Sequence, residues 1–325
     1  MMTRGILVAG IAVVCAYAAA PDSPLLLVCN KHDDTMTFVD PEKLEPIQTI
    51  PTGPNPHEIV LTPDRRFAYL SNYEPPGNTI SVIDLVRRKH IQQISTGDYG
   101  RIHGAAMAPD GKHAYFTAGQ SGYVIEVDTA TNTVTRQIPT HGKISHMVLV
   151  SSDGALLYTA NIDTQNVSII DRASGELLAQ VPCGKGAEGM CFTPDGRELW
   201  VGNQDAGTIT VIDVASRTAR ETFPCPGMPV RIRFTLDGKK ALVASWTTNG
   251  ELVVLDSKSH AEIKRVPVGA QAIGLELTPD GKRVFVGCEH RDGIHVVDLA
   301  TLEVVAKIAT GDGSDAMAWW ELPAN

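Results

Sequence analysis

Apolar runs of five or six residues, rich in valine, isoleucine and aromatic side chains, recur along nearly the whole chain. Each is bounded by glycine, proline or aspartate, and no stretch of ten or more residues carries the 3.6-residue period of an amphipathic helix. One class of run ends in aspartate and occupies residues 35–40, 80–84, 123–128, 167–171, 209–213, 252–256 and 294–298. The seven terminal aspartates lie 44, 44, 43, 42, 43 and 42 residues apart. A period in the low forties, carried by short β-strands, predicts an all-β chain folded as a seven-bladed β-propeller.

Each repeat holds four strand-like runs. Before the aspartate run lies another such as 67–72, 156–161 or 198–203, and before that a turn such as Pro109-Asp110-Gly111, Pro194-Asp195-Gly196 or Pro279-Asp280-Gly281. Proline presets φ, aspartate bonds nearby backbone, and glycine takes the positive φ of a tight hairpin. The run after the aspartate, such as 90–94, mixes polar and apolar residues, as suits an outer edge that must not pair with another chain. The first strands, 25–30, 35–40 and 45–51, lack an innermost (hub) strand, whereas 315–322 is a hub strand with nothing after it. Four-stranded antiparallel blades are therefore expected, the ring closing where the C-terminal hub strand pairs with the N-terminal strands.

The asparagine ending many second strands, the Pro-Asp-Gly turn, the Val-Ile-Asp strand and the glycine before each hub strand resemble the YVTN β-propeller repeat, across nearly all of residues 25–322. Gly119, Trp246 and Glu289 depart from it by replacing the usual asparagine. The resemblance implies an exported propeller and is unspecific for activity.

Composition narrows the setting. With 28 Lys+Arg against 37 Asp+Glu, the net charge is −9, which argues against a general nucleic-acid or anionic-membrane binder. Residues 1–20 read as a signal peptide: Arg4 gives the charged start, Gly5 to Val14 the apolar core, and Ala16-Tyr17-Ala18 a cleavage site. The expected product is a periplasmic or secreted propeller over 21–325, monomeric and with no transmembrane segment. Cys15 leaves with the leader. Cys29, Cys183, Cys191, Cys225 and Cys288 remain, an odd number, and equivalent positions on neighbouring sheets lie too far apart to bridge. Buried free thiols are expected.

Candidate chemistry emerges when the hub strands are aligned on the turn aspartate. Seven residues upstream stand His57, His103, His146, Glu188, Val230 and Ile273, and Asp315 aligns in the last copy by its preceding glycine. Three imidazoles and a carboxylate on successive blades have the donor types of a transition-metal site for Zn²⁺, Cu²⁺, Mn²⁺ or Fe²⁺. His57, His103 and His146 would be ligands, Glu188 a fourth ligand or a catalytic base, and Asp315 an outer group orienting His57. The bland alternative is a wet channel mouth lined by polar side chains. Arg233 and Glu276 occupy matching places on adjacent blades, which predicts an interface ion pair. Alternatively, Arg231 and Arg233, with Asp315 nearby, would bind a small anionic ligand. His32 and His290 lie in loops, and His113, His141, His260 and His295 have no partner at metal spacing. The function classes left open are a ligand- or protein-binding propeller with a divalent metal at the channel mouth, a metal-dependent hydrolase of the lactonase type or a lyase using the same site, and a metal-free interaction scaffold.

Overall fold

The structure is a computed structural model, and it describes residues 24–290 and 293–322. The expected leader and Cys15 lie outside the described residues. Seven four-stranded antiparallel sheets form the ring. Six come from consecutive chain (56–95, 102–139, 145–182, 187–224, 229–267 and 272–308). The seventh combines the hub strand Ser314–Trp320 with Leu25–Asn30, Thr35–Asp40 and Glu45–Pro51. Among the described residues, no helix is long and apolar enough to cross a membrane.

Burial explains the hydrophobic pattern. Neighbouring blades cover both faces of the second and third strands, so segments such as Leu156–Asn161 and Asn166–Asp171 are buried along most of their length and read as continuous apolar runs. Outer strands such as Glu45–Pro51 are exposed except near their ends. The turn aspartates are structural. Asp64 Oδ1 accepts the Thr62 hydroxyl at 2.6 Å and the Arg66 amide at 3.1 Å. Asp128 Oδ1 accepts the Ala130 and Thr131 amides at 2.9 and 2.8 Å. Among the described residues no disulfide joins the five cysteines, as the sequence suggested.

Closure follows the expected pairing, with Leu25 opposite Trp320, Val28 opposite Met317 and Asn30 opposite Ser314. Two tryptophans fasten the last strand to both neighbours. Trp320, fully buried, donates its indole N–H to the Arg65 carbonyl of the following blade at 2.7 Å. Trp319 donates to the Leu277 carbonyl of the preceding blade.

A single backbone irregularity positions the centre of the molecule. In every blade, the pairing of the hub strand with its neighbour shifts register at the aligned column, between Pro56 and Ile59, Ile102 and Ala105, Ser145 and Val148, and at the same place in the other four. Such a bulge bends the strand and re-aims the side chain it contains. Side-chain hydroxyls satisfy amides that the bulge leaves off the ladder: Glu58 N donates to Ser71 Oγ at 2.9 Å and Gly104 N to Thr117 Oγ1 at 2.8 Å. One residue past the column, glycine lets adjacent hub strands approach. A Cβ on Gly104 would stand 2.4 Å from the His146 carbonyl oxygen, and one on Gly274 2.1 Å from that of Asp315.

Candidate functional site

All seven residues of the aligned column line one cavity of about 310 Å³ at the channel mouth. The bulges turn His57, His103, His146, Glu188, Val230, Ile273 and Asp315 toward the ring axis. A second register joins them at the ends of the second strands, where Lys31, Tyr73, Gln204, Trp246 and Glu289 also line the cavity.

The histidines gather on one side. The ring centroids of His57 and His103 are 4.7 Å apart, and those of His103 and His146 are 3.6 Å apart at an interplanar angle of 29°. The Tyr73 ring stands 4.6 Å from His57 and 5.2 Å from His103. Burial disfavours the imidazolium form of all three. It pulls His57 down to about 4 despite the opposing Asp315 charge, and it pulls His146 down to about 3, with His57 and Arg231 adding to the effect. His103 is held well below the ordinary value of 6.5 by burial and then by its two histidine neighbours. At neutral pH, therefore, the cluster is three neutral rings. Among the described residues, the buried Nδ1 atoms of His103 and His146 have no hydrogen-bond partner.

Asn55, one hub residue before the bulge, settles the tautomer of His57. Its Oδ1 lies 2.6 Å from His57 Nδ1, and an amide oxygen only accepts, so Nδ1 carries the proton. The lone pair of Nε2 then faces Asp315 Oδ2 at 3.7 Å. The orienting role expected of Asp315 thus falls to Asn55, and Asp315 sits on the open nitrogen. Similarly, His146 Nδ1 lies 3.7 Å from Glu188 Oε1. Burial pushes the Glu188 carboxyl up to about 8 against the pull of Arg231, so it is largely protonated at pH 7.

The other side of the cavity is ionic. Arg231 follows Val230 in the bulge and reaches across the ring to Glu58, which follows His57, with Nη2–Oε1 2.6 Å and Nη1–Oε2 3.0 Å. The same Nη2 donates to Asp315 Oδ1 at 3.2 Å. Lys31 Nζ bridges Glu289 Oε1 at 2.7 Å and Asp315 Oδ2 at 3.4 Å. Trp246 Nε1 donates to Glu289 Oε2 at 2.5 Å; the strand register corrects their expected place, since Ser245 and Cys288 stand where other blades have asparagine and these two residues follow them. Burial alone would raise the Asp315 carboxyl, but Lys31, His57 and Arg231 outweigh it and hold it low. Three carboxylates face two cations, which leaves this network with one negative charge in excess.

Two expectations are corrected. No ion pair joins Arg233 and Glu276 among the described residues. Arg233 instead donates to the Ile232 carbonyl at 3.2 Å, and burial pushes Glu276 up to about 7 although the Arg233 charge pulls it down. Nor does Arg231 offer a free guanidinium to an anionic ligand, since Glu58 and Asp315 occupy it; Arg233 lies off the cavity. The bulge is the cause, because it brings residue 231, rather than 233, into the channel.

As a metal centre the histidine side fits in chemistry and only partly in geometry. Neutral buried imidazoles, two of them with an unpartnered Nδ1, beside surplus negative charge, are the donor set a borderline divalent cation takes. The stacked rings, however, do not converge. Among the described residues, the one group of three that brings a ligand atom each to within 4.8 Å of the others is His32, His290 and Asp312, outside the cavity.

The YNCE-like β-propeller family matches residues 107–276, just over half of the chain. The chain belongs to that family. Among solved structures, it is similar to hydrazine synthase of Kuenenia stuttgartiensis, with 22% identity, 87% of this chain and 94% of that chain covered, and a TM-score of 0.77. It is also similar to a functionally unknown protein from Desulfotomaculum acetoxidans DSM 771, with 16% identity, 92% and 99% covered, and a TM-score of 0.78. At these identities the likeness is one of fold. No curated protein gives a significant match. The propeller fold supports a binding or scaffold role.

Proposed function

We propose that this YNCE-like β-propeller is an exported binding protein whose channel mouth captures a divalent transition-metal ion (Zn²⁺, Cu²⁺, Mn²⁺ or Fe²⁺). His57, His103 and His146 would be the imidazole ligands, with Glu188 and Asp315 beside them. One observation carries the reading: His57 Nε2, the unprotonated ring nitrogen, stands 3.7 Å from Asp315 Oδ2, an oxygen whose protein donor is Lys31 Nζ at 3.4 Å. Two acceptors repel at that range unless a cation or a water proton lies between them. The unpartnered Nδ1 atoms of His103 and His146 extend the same donor surface. The leader expected over residues 1–20 supports export.

The test is metal analysis of the full chain after loading with Zn²⁺ and dialysis, for wild type and for a His57→Ala/His103→Ala/His146→Ala variant. The expected result is one equivalent lost in the variant. Equal uptake by the two proteins refutes the channel site, and no uptake by either leaves a metal-free interaction scaffold.

Glu188 favours a second reading, a hydrolase or lyase. A carboxyl pushed up to about 8 and lying 3.7 Å from His146 is suited to proton transfer near neutral pH. Turnover of a lactone and ester panel by the metal-loaded protein, abolished by Glu188→Gln without loss of metal, is the expected outcome on this reading. No turnover by wild type rejects it for that substrate class.

A further inference from the structure

Outside the channel, ring closure assembles a second group of donors from three separate loops. His32 follows the first strand, His290 follows the second strand of the sixth blade, and Asp312 precedes the last hub strand. One ligand atom from each lies within 4.8 Å of the other two, and both histidines are exposed. We infer that His32, His290 and Asp312 form a rim metal site, which takes a zinc-type divalent ion and ties the two ends of the propeller together.

The backbone holds the three donors in place without an ion. His32 N donates to the Asp312 carbonyl at 3.1 Å, Gly313 N to the His290 carbonyl at 3.2 Å, and Lys31 N to the Gly313 carbonyl at 3.0 Å. Asp312 N donates to Asp33 Oδ2 at 2.8 Å. The loops are therefore already joined, and binding need not order them. Gly313 makes the cradle. Its φ is +75°, and a Cβ there would stand 2.6 Å from His32 Cδ2, so only glycine lets the imidazole lie against this turn. His290 itself sits at φ 58°, an uncommon conformation for a residue other than glycine. The two rings are nearly parallel, at 12° with centroids 5.9 Å apart.

Two imidazoles and a carboxylate are the donors of three-ligand zinc sites that keep a fourth position for water or another ligand. Glu289 Oε1, 3.5 Å from His32 Nε2, adds an acidic neighbour. An ion here would bridge the N-terminal strand, the sixth blade and the C-terminal strand, across the joint where the ring closes. Because an ion that binds only the folded ring stabilises it by mass action, the rim site acts as a closure clasp.

The experiment is titration of the metal-free full chain with Zn²⁺ at pH 7.5, following equivalents bound by calorimetry and the thermal midpoint. It compares wild type with His290→Asn, which tolerates the positive φ, Asp312→Asn, and the channel variant His103→Leu. The expected result is that His290→Asn and Asp312→Asn each lose one equivalent and the zinc-dependent rise in Tm, with Tm unchanged in chelator, while His103→Leu keeps a zinc-dependent rise in Tm and loses no more than the one equivalent of the channel. Full binding and a full Tm rise in the two rim variants overturn the inference, as does a wild type whose zinc uptake disappears entirely in His103→Leu. The rim result is read independently of the channel result, so either site can fail alone.

Discussion

The two sides of the channel mouth share one backbone and carry opposite chemistry. On the ionic side, Arg231, Glu58, Asp315, Lys31 and Glu289 are charged, and every one of them has an opposite charge within 3.4 Å. On the histidine side, His57, His103 and His146 are neutral, and two of the three have a ring nitrogen with no hydrogen-bond partner. The three histidines hang from the same bulge as Glu58, Arg231 and Asp315, so the backbone does not cause the difference. Burial does: a charge taken out of water needs a partner, whereas an imidazole can shed its proton and remain unpaired. Binding capacity is left where the side chains are neutral, and the charged groups are spent on one another.

The sharpest way to break this contrast is to remove one member from each side. Arg231→Met leaves Glu58 and Asp315 buried without their shared cation and is expected to cost about 3–5 kcal/mol of stability. His103→Leu removes a group with an unpartnered nitrogen and is expected to stay within about 1 kcal/mol of wild type. Urea unfolding at pH 7 measures both. Adding Glu58→Leu to Arg231→Met should recover part of the loss, because the orphaned carboxylate goes with it. Equal costs for the two single variants would mean that the histidine side is as tightly integrated as the ionic one, and the division would fall.

The same contrast marks what sequence could and could not convey. The ring was legible because each repeat writes its strands locally: the seven aspartates recur every 42 to 44 residues, and strand 25–30 visibly lacks a hub partner that 315–322 supplies. The histidine column was legible because aligned repeats occupy equivalent places around an axis. Contacts across the axis were not. Arg231 and Glu58 are separated by 173 residues and by several blades, and an alignment that compares neighbours suggests Arg233 with Glu276 instead. The bulge decides between them, and no residue type announces which side chain it turns inward. Lys31, Tyr73, Trp246 and Glu289 left a trace, since each directly follows the position of the repeat's asparagine. His32 and His290 looked isolated because only closure of the ring brings them together.

A smaller effect sharpens the comparison through pH. The histidines have folded values below their ordinary 6.5, His57 at about 4 and His146 at about 3, so between those values the unfolded chain binds more protons, and stability falls as pH drops below 6.5. Glu188 and Glu276 have folded values raised from 4.5 to about 8 and about 7, so the folded chain binds more protons there, and stability falls as pH rises toward 8. Between 4.5 and 6.5 three histidines outweigh two carboxyls, and above 6.5 only the carboxyls act. Stability is therefore expected to peak near pH 6.5. Glu188→Gln should flatten the alkaline side and steepen the acid side between pH 4.5 and 6.5, each by up to about 1.4 kcal/mol per pH unit, because this carboxyl acts from 4.5 to about 8. Urea midpoints from pH 5 to 8 read both slopes. An alkaline slope unchanged by Glu188→Gln would show that this carboxyl is already ionised in the folded protein, and the neutral side of the channel would then lose the one group able to donate a proton to His146.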